Sequence, residues 1–326
     1  MAGKGPGKAH REGIPLKKFF KLFPTDAAAE RWFVKQRWPG GIWCPRCGSF
    51  NVQVGTTHKT MPYRCREKVC GRKFFSVKTG TVMEGSKIGY QDWMLATFLL
   101  NTSLKSVSSM KLHRDLGITQ KSAWFLAHRI RSGMTDQGAT DFAGPVEVDE
   151  TYMGGKRKNM SLSKRRELTG RGPAGKAPIV GAKDRATNKV AAKAVDSTDK
   201  ETLQSFVTDH VDPGATIYTD EAKAYESLPI HDAVKHSAKE YVRGAVHTNG
   251  VESFWSMLKR AHKGTFHKMS PKHLDRYVQE FAKRHNIREL DTTDQLAAIA
   301  AGIDGKRLKY KALIKDNGRA SGARAV

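Results

Sequence analysis

Three carboxylates occupy positions from which they could do chemistry together. Asp149 sits inside the strand-like run Val146-Glu-Val-Asp-Glu-Thr-Tyr152, Asp220 closes a second run, Thr216-Ile-Tyr-Thr-Asp220, and Glu252 lies in the first turn of a helical pattern. With a period of two, Glu147, Asp149 and Thr151 share one strand face, opposite Val146, Val148 and Glu150. On the helix, Val251, Phe254, Trp255 and Leu258 form an apolar stripe that leaves Glu252 to one side. Acids on a first strand, at the end of a later strand and on a following helix can converge at one end of a sheet. Such a cluster repels itself unless cations bind, and two Mg²⁺ (or Mn²⁺) ions about 3.5–4 Å apart are the usual partners of phosphodiester chemistry. Any one of these acids alone is an ordinary ion-pair partner or helix cap; the signal lies in the three together, in that order.

A second constellation is built of sulfur. All four cysteines of the chain fall in one window, as Cys44-Pro-Arg-Cys47 and Cys65-Arg-Glu-Lys-Val-Cys70. Each pair can grip one edge of a tetrahedral metal, and the alternation of Val52, Val54, Tyr63 and Phe74-Phe75 suits short hairpins, so the segment reads as a zinc ribbon holding one structural Zn²⁺. The wider second spacing leaves His58 as a spare ligand. The alternatives for these cysteines, a disulfide framework or a thioredoxin-like redox pair, fit neither a chain of this length nor its local pattern.

The charge of the chain says what it meets. Among 326 residues, 57 Lys and Arg face 32 Asp and Glu, a formal net charge of +25, which calls for a polyanion, with nucleic acid first. No apolar run reaches the ~18–20 residues of a membrane helix, and the basic start leads into no apolar segment of a secretory signal. The expected location is therefore cytoplasmic, on nucleic acid, with no membrane partner.

The elements that must position these groups follow from periodicity. Residues 1–24 read as a basic arm, and a helix capped by Thr25 leads into the ribbon, together 25–82. Within 83–138, Lys111-Leu-His-Arg-Asp-Leu116-Gly117-Ile118-Thr119 has the form of a helix, a turn and a capped second helix. Ala123, Leu126 and Ile130 share one face of that second helix and Gln120, Lys121, Trp124, His128 and Arg131 the other, as in a DNA-reading helix-turn-helix. From 143 to 290, candidate strands 146–152, 178–183, 189–195, 216–219 and 233–236 alternate with helical patterns near 199–210, 250–263 and 271–287, an α/β domain. Its first two strands are joined by a basic loop carrying Lys164, Arg165 and Arg166, and residues 291–326 read as a basic tail. Arms, loop and tail are expected to contact phosphates, with Gln120, Lys121, His128 and Arg131 as base readers.

Taken together, these stretches resemble the bacterial insertion-sequence transposases of the DDE type, with an N-terminal zinc ribbon before an RNase-H-like catalytic core. The resemblance rests on Trp43-Cys-Pro-Arg-Cys-Gly48, Tyr63-Arg-Cys65, Phe74-Phe-Ser-Val-Lys-Thr-Gly-Thr81, Val148-Asp-Glu-Thr-Tyr-Met-Gly-Gly155, Tyr218-Thr-Asp-Glu221, His247-Thr-Asn-Gly-Val-Glu-Ser-Phe-Trp255 and the stretch from Glu280 to Asn286. It implies a mixed five-stranded sheet flanked by helices, metal-dependent cleavage and strand transfer at the element's terminal repeats and target DNA, and Asp149, Asp220 and Glu252 as the triad. It also implies Asn249 as a backup ligand. Cutting two ends implies a homodimer or higher oligomer on DNA. Lys259 lies seven residues after Glu252, within about 20° of the same helix direction, and Lys263 falls near the same line; the resemblance implies that this row contacts DNA. A non-catalytic DNA-binding derivative and a nuclease without strand transfer are the competing readings.

Overall fold

The computed structural model describes residues 11–71, 73–135, 141–155, 157–168, 174–220, 223–225, 231–233 and 247–315. The chain divides into two compact units, one formed by Met1–Thr135 with Ile287–Val326 and the other by Asp136–Asn286.

In the first unit, helices α1 (Leu16–Leu22) and α2 (Asp26–Arg37) precede a three-stranded antiparallel sheet of β1 (Val52–Val54), β2 (Tyr63–Cys65) and β3 (Phe74–Phe75), in that order. The Thr25 hydroxyl accepts from the Ala28 N–H and so starts α2. Trp38, just past its end, meets Tyr63 and Phe75 edge-on, at 5.6 and 6.0 Å between ring centroids, and seals one face of the sheet. Helices α3 (Tyr90–Thr102), α4 (Ser109–Leu116) and α5 (Gln120–Met134) follow, the last two joined by a short turn through Gly117 and the Thr119 cap.

Two stretches expected to be extended basic appendages contribute to this core. Within 11–24, Phe19 is fully buried against Phe23 and Phe98. Beyond residue 290, α10 (Thr292–Ala301) buries Leu296 and Ile299 among α2, α3 and α5, and the Asn101 amide donates to Gln295 at 2.6 Å. In the short helix α11 (Tyr310–Ile314), Leu313 is fully buried. The reading from charge density overlooked that 296, 299 and 303 repeat at helical spacing, and this apolar seam decides where the segment goes. Residues 1–10 and 316–326 lie outside the described residues.

The second unit is built on one mixed sheet. Strands β4 (Val146–Met153), β5 (Ala177–Asp184), β6 (Val190–Ala194), β7 (Ile217–Thr219) and β8 (His231–Ala233) lie in the order β6-β5-β4-β7-β8. The first three pair antiparallel, and β4, β7 and β8 run parallel. The last strand was expected at 233–236, of which 234–236 lie outside the described residues. Alternation along β4 sorts the two faces. Val146 and Val148 pack with Leu203, Phe206 and Val207 of α7 (Lys200–His210) on one side. Met153 lies on the other with Phe254, Trp255 and Leu258 of α8 (Asn249–Ala261), and with Val278 and Phe281 of α9 (Pro271–Asn286). A short α6 (Leu162–Glu167) lies in the connection between β4 and β5.

Strand β6 would present an open edge, and α9 closes it with side chains. Asp275 accepts from the Ala194 N–H, Gln279 donates to the Ala192 carbonyl, and the Asn286 amide both donates to and accepts from Val190. Backbone groups that would otherwise need water are thereby satisfied within the unit.

Candidate metal centres and active site

The four cysteine sulfurs lie within 4.8 Å of one another. Cys44 and Cys47 sit on the turn before β1, Cys65 ends β2, and Cys70 lies on the turn that follows. The Cys44 and Cys70 sulfurs are 3.8 Å apart and those of Cys47 and Cys65 are 3.6 Å apart. A disulfide needs about 2.0 Å, whereas four thiolates around a tetrahedral zinc at about 2.3 Å stand about 3.8 Å from each other. The turns are held by main-chain bonds: Cys44 N–H to Ser49, Gly48 N–H to Cys44 and Cys65 N–H to Lys73. Burial pushes the Cys65 thiol up to about 12. For Cys44, burial works upward but the Arg46 and Cys47 backbone N–H groups prevail and hold the thiol below its ordinary value. The site therefore fits a metal through its donor set and spacing. His58 takes no part in it; its ring lies 5.3 Å from that of Phe74.

In the second unit the parallel register places Val146 beside Ile217 and Glu147 beside Tyr218. Two residues further along, Asp149 in the middle of β4 stands level with Asp220, which directly follows the C-terminal end of β7. Their carboxylates lie within 4.8 Å of each other and of Glu150. Burial first, then the charges of Asp220 and Glu150, push Asp149 up to about 7. Burial also raises Glu150, which accepts a hydrogen bond from the Tyr225 hydroxyl. Burial first, with the neighbouring carboxylates adding to it, penalises the charged forms of Asp149 and Glu150, a penalty that a bound cation would offset, so this group too is chemically suited to divalent metal.

Glu252 does not join these atoms. It stands exposed on the first turn of α8, accepting from the Thr248 hydroxyl at 3.1 Å. Asn249, the first residue of α8, is exposed as well. Glu150 takes the third place in the cluster, and sequence reasoning missed it. Its signal was present, since an acid on the strand face of Val146 and Val148 interrupts an apolar row. Trp255 was read only as core. It is buried, yet its indole N–H donates to Asp149 Oδ2 at 3.0 Å.

The nucleic-acid residues divide. Gln120 and Lys121 are exposed at the start of α5, where Gln120 donates to Ser109 at 2.9 Å and the Lys121 ammonium lies 4.7 Å from the Tyr310 ring centroid. His128 and Arg131 are 0% and 2% exposed, which contradicts their expected place on an outer face. The reason is packing: α5 lies against α3, α4 and α10, every residue from Leu126 to Arg131 is buried, and the His128 ring meets Trp124 edge-on at 4.6 Å. Arg166 on α6 is exposed and Arg165 half-buried, while the Lys164 side chain lies outside the described residues. Lys259 and Lys263 are exposed. Among the described residues no helix is long and apolar enough to cross a membrane.

Residues 141–286 match the ISXO2-like transposase domain. Over 286 residues, 82% of this chain and 93% of the relative, the sequence is 29% identical to a Halobacterium salinarum protein named "Uncharacterized protein in transposable element ISH50". A Haemophilus influenzae "Uncharacterized transposase-like protein" is 27% identical over 106 residues, 31% of this chain and 85% of the relative. The matched domain coincides with the unit that carries the acidic cluster, so Asp136–Asn286 holds an ISXO2-like transposase domain within a chain similar over most of its length to a protein of an insertion element.

Proposed function

We propose that this chain is a DNA transposase that cleaves the ends of its insertion sequence and joins them to target DNA, using divalent metal at Asp149 and Asp220. The observation that carries the reading is the pair itself: two acids from separate strands brought level, within ligand distance, at one end of the sheet. The strand order and directions support an RNase-H-like core. A bound pair of Mg²⁺ or Mn²⁺ ions would supply activation of water or a 3′-hydroxyl and stabilise the leaving oxygen.

The chain's own contribution is to hold ligands and DNA. Asp149 and Asp220 form the fixed part of the site. Glu252 is the third ligand, reaching inward from α8 by leaving Thr248, with Asn249 one turn-position away as a substitute. Glu150 stays with Tyr225 and adds negative charge nearby. Lys259 and Lys263 extend along α8 as phosphate contacts, Gln120 and Lys121 meet the element's ends, and Arg165, Arg166 and Lys164 hold backbone without regard to sequence. Four cysteines hold one structural zinc. Oligomerisation on DNA brings two ends together.

The test is incubation of the protein with its own element's terminal repeats, a target plasmid and Mg²⁺. Cleaved ends joined to plasmid support transposition, and cleavage without joining leaves a nuclease. Asp149→Asn, Asp220→Asn and Glu252→Gln should each abolish cleavage while end binding survives. Cleavage retained by any of them removes that residue from the set.

A further inference from the structure

We infer that Glu147, Arg185 and His247 form a positioning device that sets the spacing between the elements carrying Asp149, Asp220 and Glu252. The inference rests on the reading of those acids as a metal site. Glu147 lies two residues before Asp149 on the same face of β4 and is only 2% exposed. Its carboxylate reaches three elements at once. Oε1 accepts from Arg185 Nε at 2.7 Å and faces His247 Nδ1 at 3.4 Å; Oε2 accepts from the Val251 N–H at 2.9 Å. That last bond ties a strand carboxylate to the N-terminus of α8, where an anion is favoured.

Arg185 extends the tie. It donates to the His247 carbonyl at 2.6 Å, and its guanidinium lies 4.5 Å from the ring centroid of Tyr218. Three residues tied by Glu147 and Arg185 neighbour members of the proposed site: Glu147 is two before Asp149, Tyr218 two before Asp220, and Val251, bonded by Glu147, immediately before Glu252. The network therefore forms a row directly beneath the row of acids. Gly250 shows how tightly it is built, because a Cβ there would stand 2.7 Å from Glu147 Oε2 and 2.9 Å from Lys183 Nζ.

A buried ion pair contributes little net stability compared with an apolar substitute, so its presence here is better explained by the geometry it imposes. None of the three residues touches the reacting atoms; they act through the acids.

The experiment measures Mn²⁺ binding to the full-length protein by calorimetry, with melting temperature followed in parallel. Arg185→Lys keeps the charge but loses the fork to His247, and Gly250→Ala pushes Glu147 aside while favouring helix. Each should weaken Mn²⁺ binding by about 10- to 100-fold, as removal of outer partners does at metal sites, at nearly unchanged melting temperature. Cleavage should recover at high Mn²⁺. Binding as tight as wild type in both folded variants overturns the inference. Wild-type protein that binds no Mn²⁺, or whose binding survives Asp149→Asn, overturns instead the assignment of the metal site itself.

Discussion

Trp255 holds Asp149 from above while Gly181 holds open the space for it: the indole N–H donates to Oδ2 at 3.0 Å, and Gly181 is the residue paired with Asp149 across β4 and β5. A Cβ on Gly181 would stand 2.6 Å from the indole ring. The backbone gap, the ring and the carboxylate thus form one stack that seats α8 on the sheet. Trp255→Phe keeps most of the packing and loses the bond. It is expected to reduce cleavage more than stability, checked by pairing end-cleavage rates with thermal melts. Gly181→Ala forces the ring off its seat and should cost about 1–3 kcal/mol, as overpacking does, together with cleavage.

The elevated Asp149 makes a pH prediction for the metal-free protein. Its carboxyl is raised from 3.8 to about 7, by burial first and then by Asp220 and Glu150. Between those values the folded chain keeps a proton that the unfolded chain has lost, so stability falls as pH rises through that window. Asp149→Asn removes the effect and should stabilise the metal-free protein at pH 8 by up to about 4 kcal/mol, at about 1.4 kcal/mol per unit. Denaturant melts at pH 5 and pH 8 check this. A difference between wild type and variant that does not grow with pH would contradict it.

Zinc should be present at one atom per chain and required for the first unit's fold. Cys47→Ser or Cys70→Ser is expected to release zinc, measured with a chromogenic chelator, and to unfold the ribbon cooperatively. Addition of a reducing agent alone should change nothing, since the sulfur spacings of 3.6 and 3.8 Å exclude disulfides.

Helix α5 separates two kinds of variant. Arg131→Ala should destabilise by roughly 2–4 kcal/mol, the scale of truncating a large buried side chain, and leave the preference for the element's ends intact in whatever protein folds. Gln120→Ala should do the reverse, keeping stability and relaxing preference in competition binding against random duplex. Equal effects of both on preference would reinstate the buried end of α5 as a reader.

Lys259 is exposed on the same face of α8 as Glu252. Lys259→Ala should lower the slope of log affinity against log salt by about 1, the signature of one lost phosphate contact. Lys259→Arg should restore it. An unchanged slope would return Lys259 to the ordinary solvated surface.

Local chemistry made much of this protein readable from its residues. Cysteine pairs announce tetrahedral sulfur because two thiolates on a turn can do little else together, and β-branched runs interrupted by acids mark β4 and β7 because their period of two is local. The convergence of Asp149 with Asp220 followed from order along the chain. What the sequence could not decide were quantities set by contact between distant segments. The burial of His128 and Arg131 reflects the packing of α5 against α3, α4 and α10, the last more than 150 residues away in the chain. Glu150 joins Asp149 because strand β7 ends beside it, and Glu252 stays outward because a side chain on a helix's first turn finds the nearest donor, Thr248. Likewise the Glu147 network joins residues far apart in the chain, and only the register of β4 with β5 and β7 brings them together. Periodicity fixes which face a residue takes; tertiary packing fixes what, if anything, that face meets.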